Sequence, residues 1–125
     1  MNPADIQRMI QNARNAWMTG DAEAWAALFS ADGEMIVHGN RWVGQDAIRR
    51  ALTDFAAGSA SVKIDIRRIM IDGNQAVVEW YWQDRDKAGR RNQADDAIVI
   101  DFKANRIIRW REYIDNKTPS LLPSE

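Results

Sequence analysis

Val62-Lys63-Ile64-Asp65-Ile66-Arg67-Arg68-Ile69-Met70-Ile71 decides the fold. Its apolar residues alternate through Val62, Ile64 and Ile66, as a half-buried strand requires, and then change parity to Ile69 and Ile71. Side chains alternate faces along a strand. A parity change that keeps one face apolar therefore needs one extra residue, and Arg67-Arg68 is where a bulge or sharp bend is expected. Downstream the turn signals repeat. Asp72-Gly73-Asn74 leads into a strand from Gln75 to about Arg85, and Asp86-Lys87-Ala88-Gly89 into one from Arg90 to Phe102. Lys103-Ala104-Asn105 then leads into a last strand from Arg106 to Asp115. A long antiparallel meander, bent near its start, occupies the second half of the chain.

Upstream the period is helical. Asp5 is the expected cap of a helix whose apolar face is Ile6, Met9, Ile10, Ala13, Ala16 and Trp17, and Gly20 stops it. Asp21 caps a second, short helix with Trp25, Leu28 and Phe29 on its buried stripe. Asp32-Gly33 turns into a short strand from Glu34 to His38, and Gly39-Asn40 turns it back through Arg41-Trp42-Val43. A third helix runs from about Gln45 to Ala56 and buries Ile48, Leu52 and Phe55. Three helices followed by a curved meander define an α+β domain with the helices on one face of the sheet. One domain over residues 1–118 is expected, with a loosely ordered tail over 119–125.

Composition narrows the chemistry. The 125 residues hold 17 Lys+Arg against 18 Asp+Glu, a balance unsuited to gripping a phosphate backbone, so no nucleic-acid partner is expected. With no Cys and a single His, thiolate and multi-histidine metal sites and a Cys nucleophile are excluded. There is no apolar run of membrane-spanning length, signal-peptide core, glycine-rich phosphate loop, serine elbow or acidic calcium loop. A cytoplasmic protein without cofactor or metal is expected. Six Trp in so short a chain suit a core, a subunit interface or a pocket lining.

The candidate site comes from polar residues on apolar strand faces. Asp96 shares a face with Ile98, Ile100 and Phe102, and Glu112 shares one with Ile108, Trp110 and Ile114. An unpaired carboxylate there tends to a raised pKa, which suits acid or base chemistry; pairing with an Arg is the structural alternative. On the strand from Gln75, Val78, Trp80 and Trp82 share one face and Val77, Glu79 and Tyr81 the other. Tryptophans suit a dry surface against a second subunit better than a Glu does. Glu79 and Tyr81 are therefore expected on the concave side with Asp96 and Glu112. His38 stands at a strand end beside a turn, where exposure is the ordinary outcome. The doublets Arg49-Arg50, Arg67-Arg68 and Arg90-Arg91 read as solvated positions balancing nearby acids.

Several segments resemble the nuclear transport factor 2-like superfamily over about residues 5–115: Thr19-Gly20-Asp21-Ala22, Leu28-Phe29-Ser30-Ala31-Asp32 and Gly44-Gln45-Asp46-Ala47-Ile48. Asn105-Arg106-Ile107 and Trp110-Arg111-Glu112-Tyr113-Ile114-Asp115 resemble the closing strand of its SnoaL-like branch. The resemblance implies a cone-shaped α+β barrel, three helices on a strongly curved and mainly antiparallel sheet, and a pocket between helices and sheet. Trp17, Met35, Val37, Phe55, Ile98 and Trp110 are its expected lining, and the sheet's outer face the expected homodimer contact. In the limonene-epoxide-hydrolase-like branch the catalytic carboxylate of the closing motif falls at Glu112. That branch's Arg-x-Asp pair falls on Glu79-Trp80-Tyr81, and its water-holding Tyr and Asn fall on Met35 and Val37. The ketosteroid-isomerase-like base also falls at Val37, and its oxyanion Tyr near Ala13. Neither machinery is intact. The expected activity is cofactor-independent acid–base chemistry on a small apolar organic molecule: isomerisation, cyclisation, dehydration or hydration, with Glu112, Asp96, Tyr81 and Glu79 as catalytic candidates. A non-catalytic ligand-binding or protein-interaction domain is the alternative, and a structural dimer with Arg-paired carboxylates a third.

Overall fold

The computed structural model describes residues 1–118, so the expected tail over 119–125 lies outside the described residues. Helix α1 spans Pro3–Thr19, α2 Ala22–Ala27 and α3 Gln45–Gly58. The strands are β1 Phe29–Val37, β2 Asn40–Val43, β3 Ser59–Asp72, β4 Gln75–Asp86, β5 Arg91–Lys103 and β6 Arg106–Asp115. All six form one open sheet in the order β2-β1-β6-β5-β4-β3. The meander from β3 to β6 is antiparallel throughout, whereas β1 joins β6 in parallel. No helix of the described residues is long and apolar enough to cross a membrane.

Local chemistry explains the boundaries. The cap of α1 is Asn2 rather than Asp5: its side chain accepts the Asp5 N–H at 2.9 Å, and Pro3 fills the first turn where no N–H is needed. Gly20 closes α1 in the left-handed region at φ 72°, and the Asp21 side chain accepts the Ala24 N–H at 3.0 Å to start α2. The β1–β2 hairpin turns on His38 and Gly39, both at positive φ, one residue earlier than Gly39-Asn40. His38 is exposed there. Gly33 is required by close approach, since a Cβ would stand 2.8 Å from the Ile107 carbonyl oxygen.

The β3 register shifts between Ile66 and Arg68, leaving Arg67 as the extra residue of a bulge. Ile64 and Ile66 oppose Trp82 and Trp80 before it, and Ile69 and Ile71 oppose Val78 and Ala76 after it. The same face stays apolar along the whole bent strand, and the helices pack on that face. Ile6, Ile10, Ala13 and Trp17 of α1 and Ile48 and Leu52 of α3 join Val78, Trp80, Ile98, Ile100 and Trp110 in one core. Its centre is an aromatic lattice. Trp25 meets Phe29 and Trp110 edge to face at 4.8 and 4.9 Å, and Trp80 meets Trp110 at 5.7 Å.

Candidate active site

Strand register builds the site. Trp80 lies directly opposite Asp96, Asp96 opposite Ile114, and Ile98 opposite Glu112. Residues opposite one another share a face, so Trp80, Asp96 and Glu112 all look toward the helices, with Asp96 and Glu112 as diagonal neighbours. The tryptophans of β4 are thus interior. Glu79 and Tyr81 are on the opposite, outer face, contrary to the expectation from periodicity and resemblance. The reason is compositional: both faces of β4 are apolar enough to be covered, and the helices take the one carrying Val78, Trp80 and Trp82. On the outer face Glu79 pairs with Arg68, and the Tyr81 hydroxyl donates to Gln93 Oε1 at 2.7 Å beneath the Arg67 guanidinium. Those two groups are held by outer-face partners and do not join the acid pair.

Asp96 is only 4% exposed, whereas Glu112 is half-buried. Each receives an indole N–H. Trp80 Nε1 donates to Asp96 Oδ2 at 3.2 Å, and Trp110 Nε1 donates to Glu112 Oε2 at 2.8 Å. Asp96 Oδ1 is buried without a partner of ordinary hydrogen-bond geometry. Among the described residues no Arg or Lys forms an ion pair with either carboxyl. Arg49 pairs instead with Glu23 and Asp46, and Arg90 with Asp86. Arg neutralisation therefore does not account for the inward carboxylates.

Burial foremost, then hydrogen bonding with Glu112 and its negative charge, push the Asp96 carboxyl up to about 11, against a smaller opposing pull from the Trp80 N–H. Asp96 is accordingly a neutral acid across the physiological range. A protonated Asp96 spares the site two like charges on neighbouring carboxyls.

A cleft of about 480 Å³ on the outer face borders Asp96 together with Arg67, Arg68, Glu79 and Tyr113, whereas the space beside Glu112 is small. Trp17, Trp80, Trp82 and Glu112 enclose a cavity of about 40 Å³, little more than the roughly 30 Å³ that one water occupies in the liquid. Trp82 is fixed at the rim by donating its indole N–H to Asp84 Oδ2 at 2.5 Å. Of the expected lining, Trp17 bounds this cavity, and Phe55 bounds an adjoining cleft of about 140 Å³ that Trp17 also borders. Met35, Ile98 and Trp110 are closed core residues, and Val37 is half-buried against the core. Trp80 and Trp82 are the site residues that periodicity missed. Their signal is present, in a β4 face that carries one valine and two tryptophans.

A helix-covered curved sheet with two neighbouring carboxyls on its concave face defines the class, an α+β cone. A SnoaL-like domain model matches residues 7–110, and the chain belongs to this family. Among curated proteins none matches the sequence. The chain is similar to a protein of ketosteroid-isomerase-like fold from Catenulispora acidiphila in complex with trimethylamine. That match has 19% identity and TM-score 0.79 over 84% of this chain and 83% of the other. It is also similar to an LEH-like epoxide hydrolase from M. tuberculosis, at 22% identity and TM-score 0.78 over 90% and 84% of the two chains. A nuclear transport factor 2-like protein from Burkholderia pseudomallei matches at 14% identity and TM-score 0.80, over 93% of each chain. At these identities the likeness is one of fold.

Proposed function

We propose that the chain is a cofactor-independent acid–base enzyme acting on a compact organic molecule at the Asp96–Glu112 pair. The observation that carries this reading is the buried Asp96 carboxyl beside Glu112, neither ion-paired with Arg or Lys among the described residues, with Glu112 on the wall of a cavity. Glu112 borders the cavity and is the group that touches the substrate. As a base it removes a proton from carbon alpha to a carbonyl, or from a water, and returns it elsewhere on the molecule. Asp96 stands behind Glu112 and acts through it as a positioning residue, fixing the carboxylate by a hydrogen bond and holding a second proton. Isomerisation, cyclisation, dehydration and hydration all reduce to such steps.

Proton–deuteron exchange into compact ketones, followed by NMR, tests the proposal without knowledge of the physiological substrate. Glu112→Gln is expected to lower the exchange rate by about 10²–10⁴. Asp96→Asn is expected to retain exchange with an altered pH–rate profile, which a purely structural role would leave unmoved. Equal rates in the parent and Glu112→Gln overturn the reading.

A second reading, ligand binding without turnover, is favoured by the filled cone. The inward positions of β4 at the acid pair are Trp80 and Trp82, and the cavity admits only a few heavy atoms. The trimethylamine complex of the Catenulispora protein supports a ligand of that scale.

We further infer that the outer face of the sheet pairs two copies of the chain. With the tryptophans interior, this contact rests on exposed Met70 and Tyr113 and on a groove of about 360 Å³ bordered by Met70, Val77 and Val99. Along β6 the outer positions run from Arg109 and Arg111 to Asp115, so a copy turned end for end sets basic against acidic ends. Sedimentation is expected to give a dimer at micromolar concentration, and a monomer there overturns the inference.

A further inference from the structure

The structure assigns the Trp17–Trp80–Trp82–Glu112 cavity to a small ammonium cation, either free methylated ammonium or the head group of a compact amine. The inference shares its site with the proposed enzyme but holds with or without turnover. Three indoles and one carboxylate bound the space. Aromatic faces and a carboxylate both attract positive charge, and desolvation strengthens the attraction. Asp96 is the diagonal neighbour of Glu112, and among the described residues neither is ion-paired with Arg or Lys. The half-buried Glu112 thus lacks a counter-ion among the described residues, and a cation in the cavity would supply one.

The adjoining cleft points the same way. It is bordered by Trp17, Met18, Thr19 and Gly20 at the C-terminal end of α1 and by Phe55 and Val62. A helix C-terminus carries partial negative charge, and the last turn of α1 contains no basic residue to offset it. A molecule with its ammonium head at Glu112 and a short apolar body past Trp17 would lay that body beside this helix end. The size of the inner cavity limits the head group: about 40 Å³ takes methylammonium as it stands, and bulkier methylated ammonium requires Trp17 or Trp82 to give way.

The test titrates the full chain with methylammonium, tetramethylammonium, tert-butylammonium and tert-butanol, the last a neutral match in shape to the third. The indole N–H resonances of Trp80 and Trp110 report on the two carboxyls they bind. Saturable shifts are expected with methylammonium and tert-butylammonium, the latter binding about tenfold more tightly than tert-butanol. Glu112→Gln should bring that pair to near-equal affinity. Trp17→Leu keeps the charge, removes one indole wall, and should weaken the cations more than the alcohol, so the inference stays testable should Glu112→Gln fail to fold. Equal binding of cation and alcohol to the parent, or no cation-induced shift at millimolar concentrations, overturns it. Cation binding without deuterium exchange leaves this inference standing and removes the enzymatic one, and exchange without cation binding does the reverse.

Discussion

Asp96→Asn is expected to be more stable than the parent at neutral and alkaline pH, by roughly 1–3 kcal/mol near pH 8. In the folded chain Asp96 keeps its proton up to about 11. In the unfolded chain it loses that proton near the ordinary carboxylate value of about 4. The unfolded state therefore binds fewer protons between these limits, and stability falls as pH rises through the window. An amide cannot ionise. It is still able to accept the Trp80 N–H through its oxygen and to donate an N–H toward Glu112, so packing and hydrogen bonding are retained without the proton penalty. The advantage of the variant should grow with pH and shrink toward pH 4. Urea unfolding at several pH values measures it. A variant less stable than the parent by the same amount at every pH would mean that Asp96 is an ordinary structural partner.

Trp110→Ala is expected to lose about 3–5 kcal/mol, the range for emptying a large buried aromatic site. Trp110 is fully buried, packs edge to face on Trp25 and against Trp80, and donates its indole N–H to Glu112 at 2.8 Å. Trp110→Phe separates the two contributions. It keeps an aromatic ring in the lattice and removes the donor, for a smaller loss of about 1–2 kcal/mol. Chemical denaturation of the three proteins gives both numbers. A loss below about 1 kcal/mol for the alanine variant would show that Trp110 is not the keystone of the lattice.

Fold and site were legible to different depths, and particular residues show why. The bulge at Arg67 is written in the parity of Ile66 and Ile69, because one extra residue is the only way a strand keeps its apolar face across that change. Asp96 and Glu112 stand out as carboxylates among apolar neighbours, a signal each strand carries by itself. That they meet is a matter of register, since Ile98 must oppose Glu112 and Ile114 must oppose Asp96 before the two become diagonal neighbours. No local pattern encodes that pairing, nor the parallel contact of β1 with β6. The facing of β4 is hidden from the sequence for a related reason. Glu79 is balanced by Arg68, but only the register set by the β3 bulge brings the two opposite each other. Without that pairing, an exposed ion pair on the outer face looks like a carboxylate needing a pocket. The cap at Asn2 was available in the sequence, where Asn-Pro before an apolar helical stripe is a stronger start than Asp5.

Within this frame the many tryptophans acquire a common purpose. Trp80 and Trp110 bind the two carboxyls through their N–H groups, and Trp17, Trp80 and Trp82 line the small cavity beside Glu112. Dry walls raise the cost of charge on Asp96, and that cost holds the proton beside Glu112.

The most direct measurement is a carbon-13 NMR titration of the Asp96 side-chain carboxyl from about pH 4 to about pH 10, assigned by its absence in Asp96→Asn. The account predicts the chemical shift of a protonated acid throughout the neutral range, with ionisation only toward the alkaline limit. An inflection near pH 4 would contradict it, leaving two ordinary carboxylates on a hydrophobic wall.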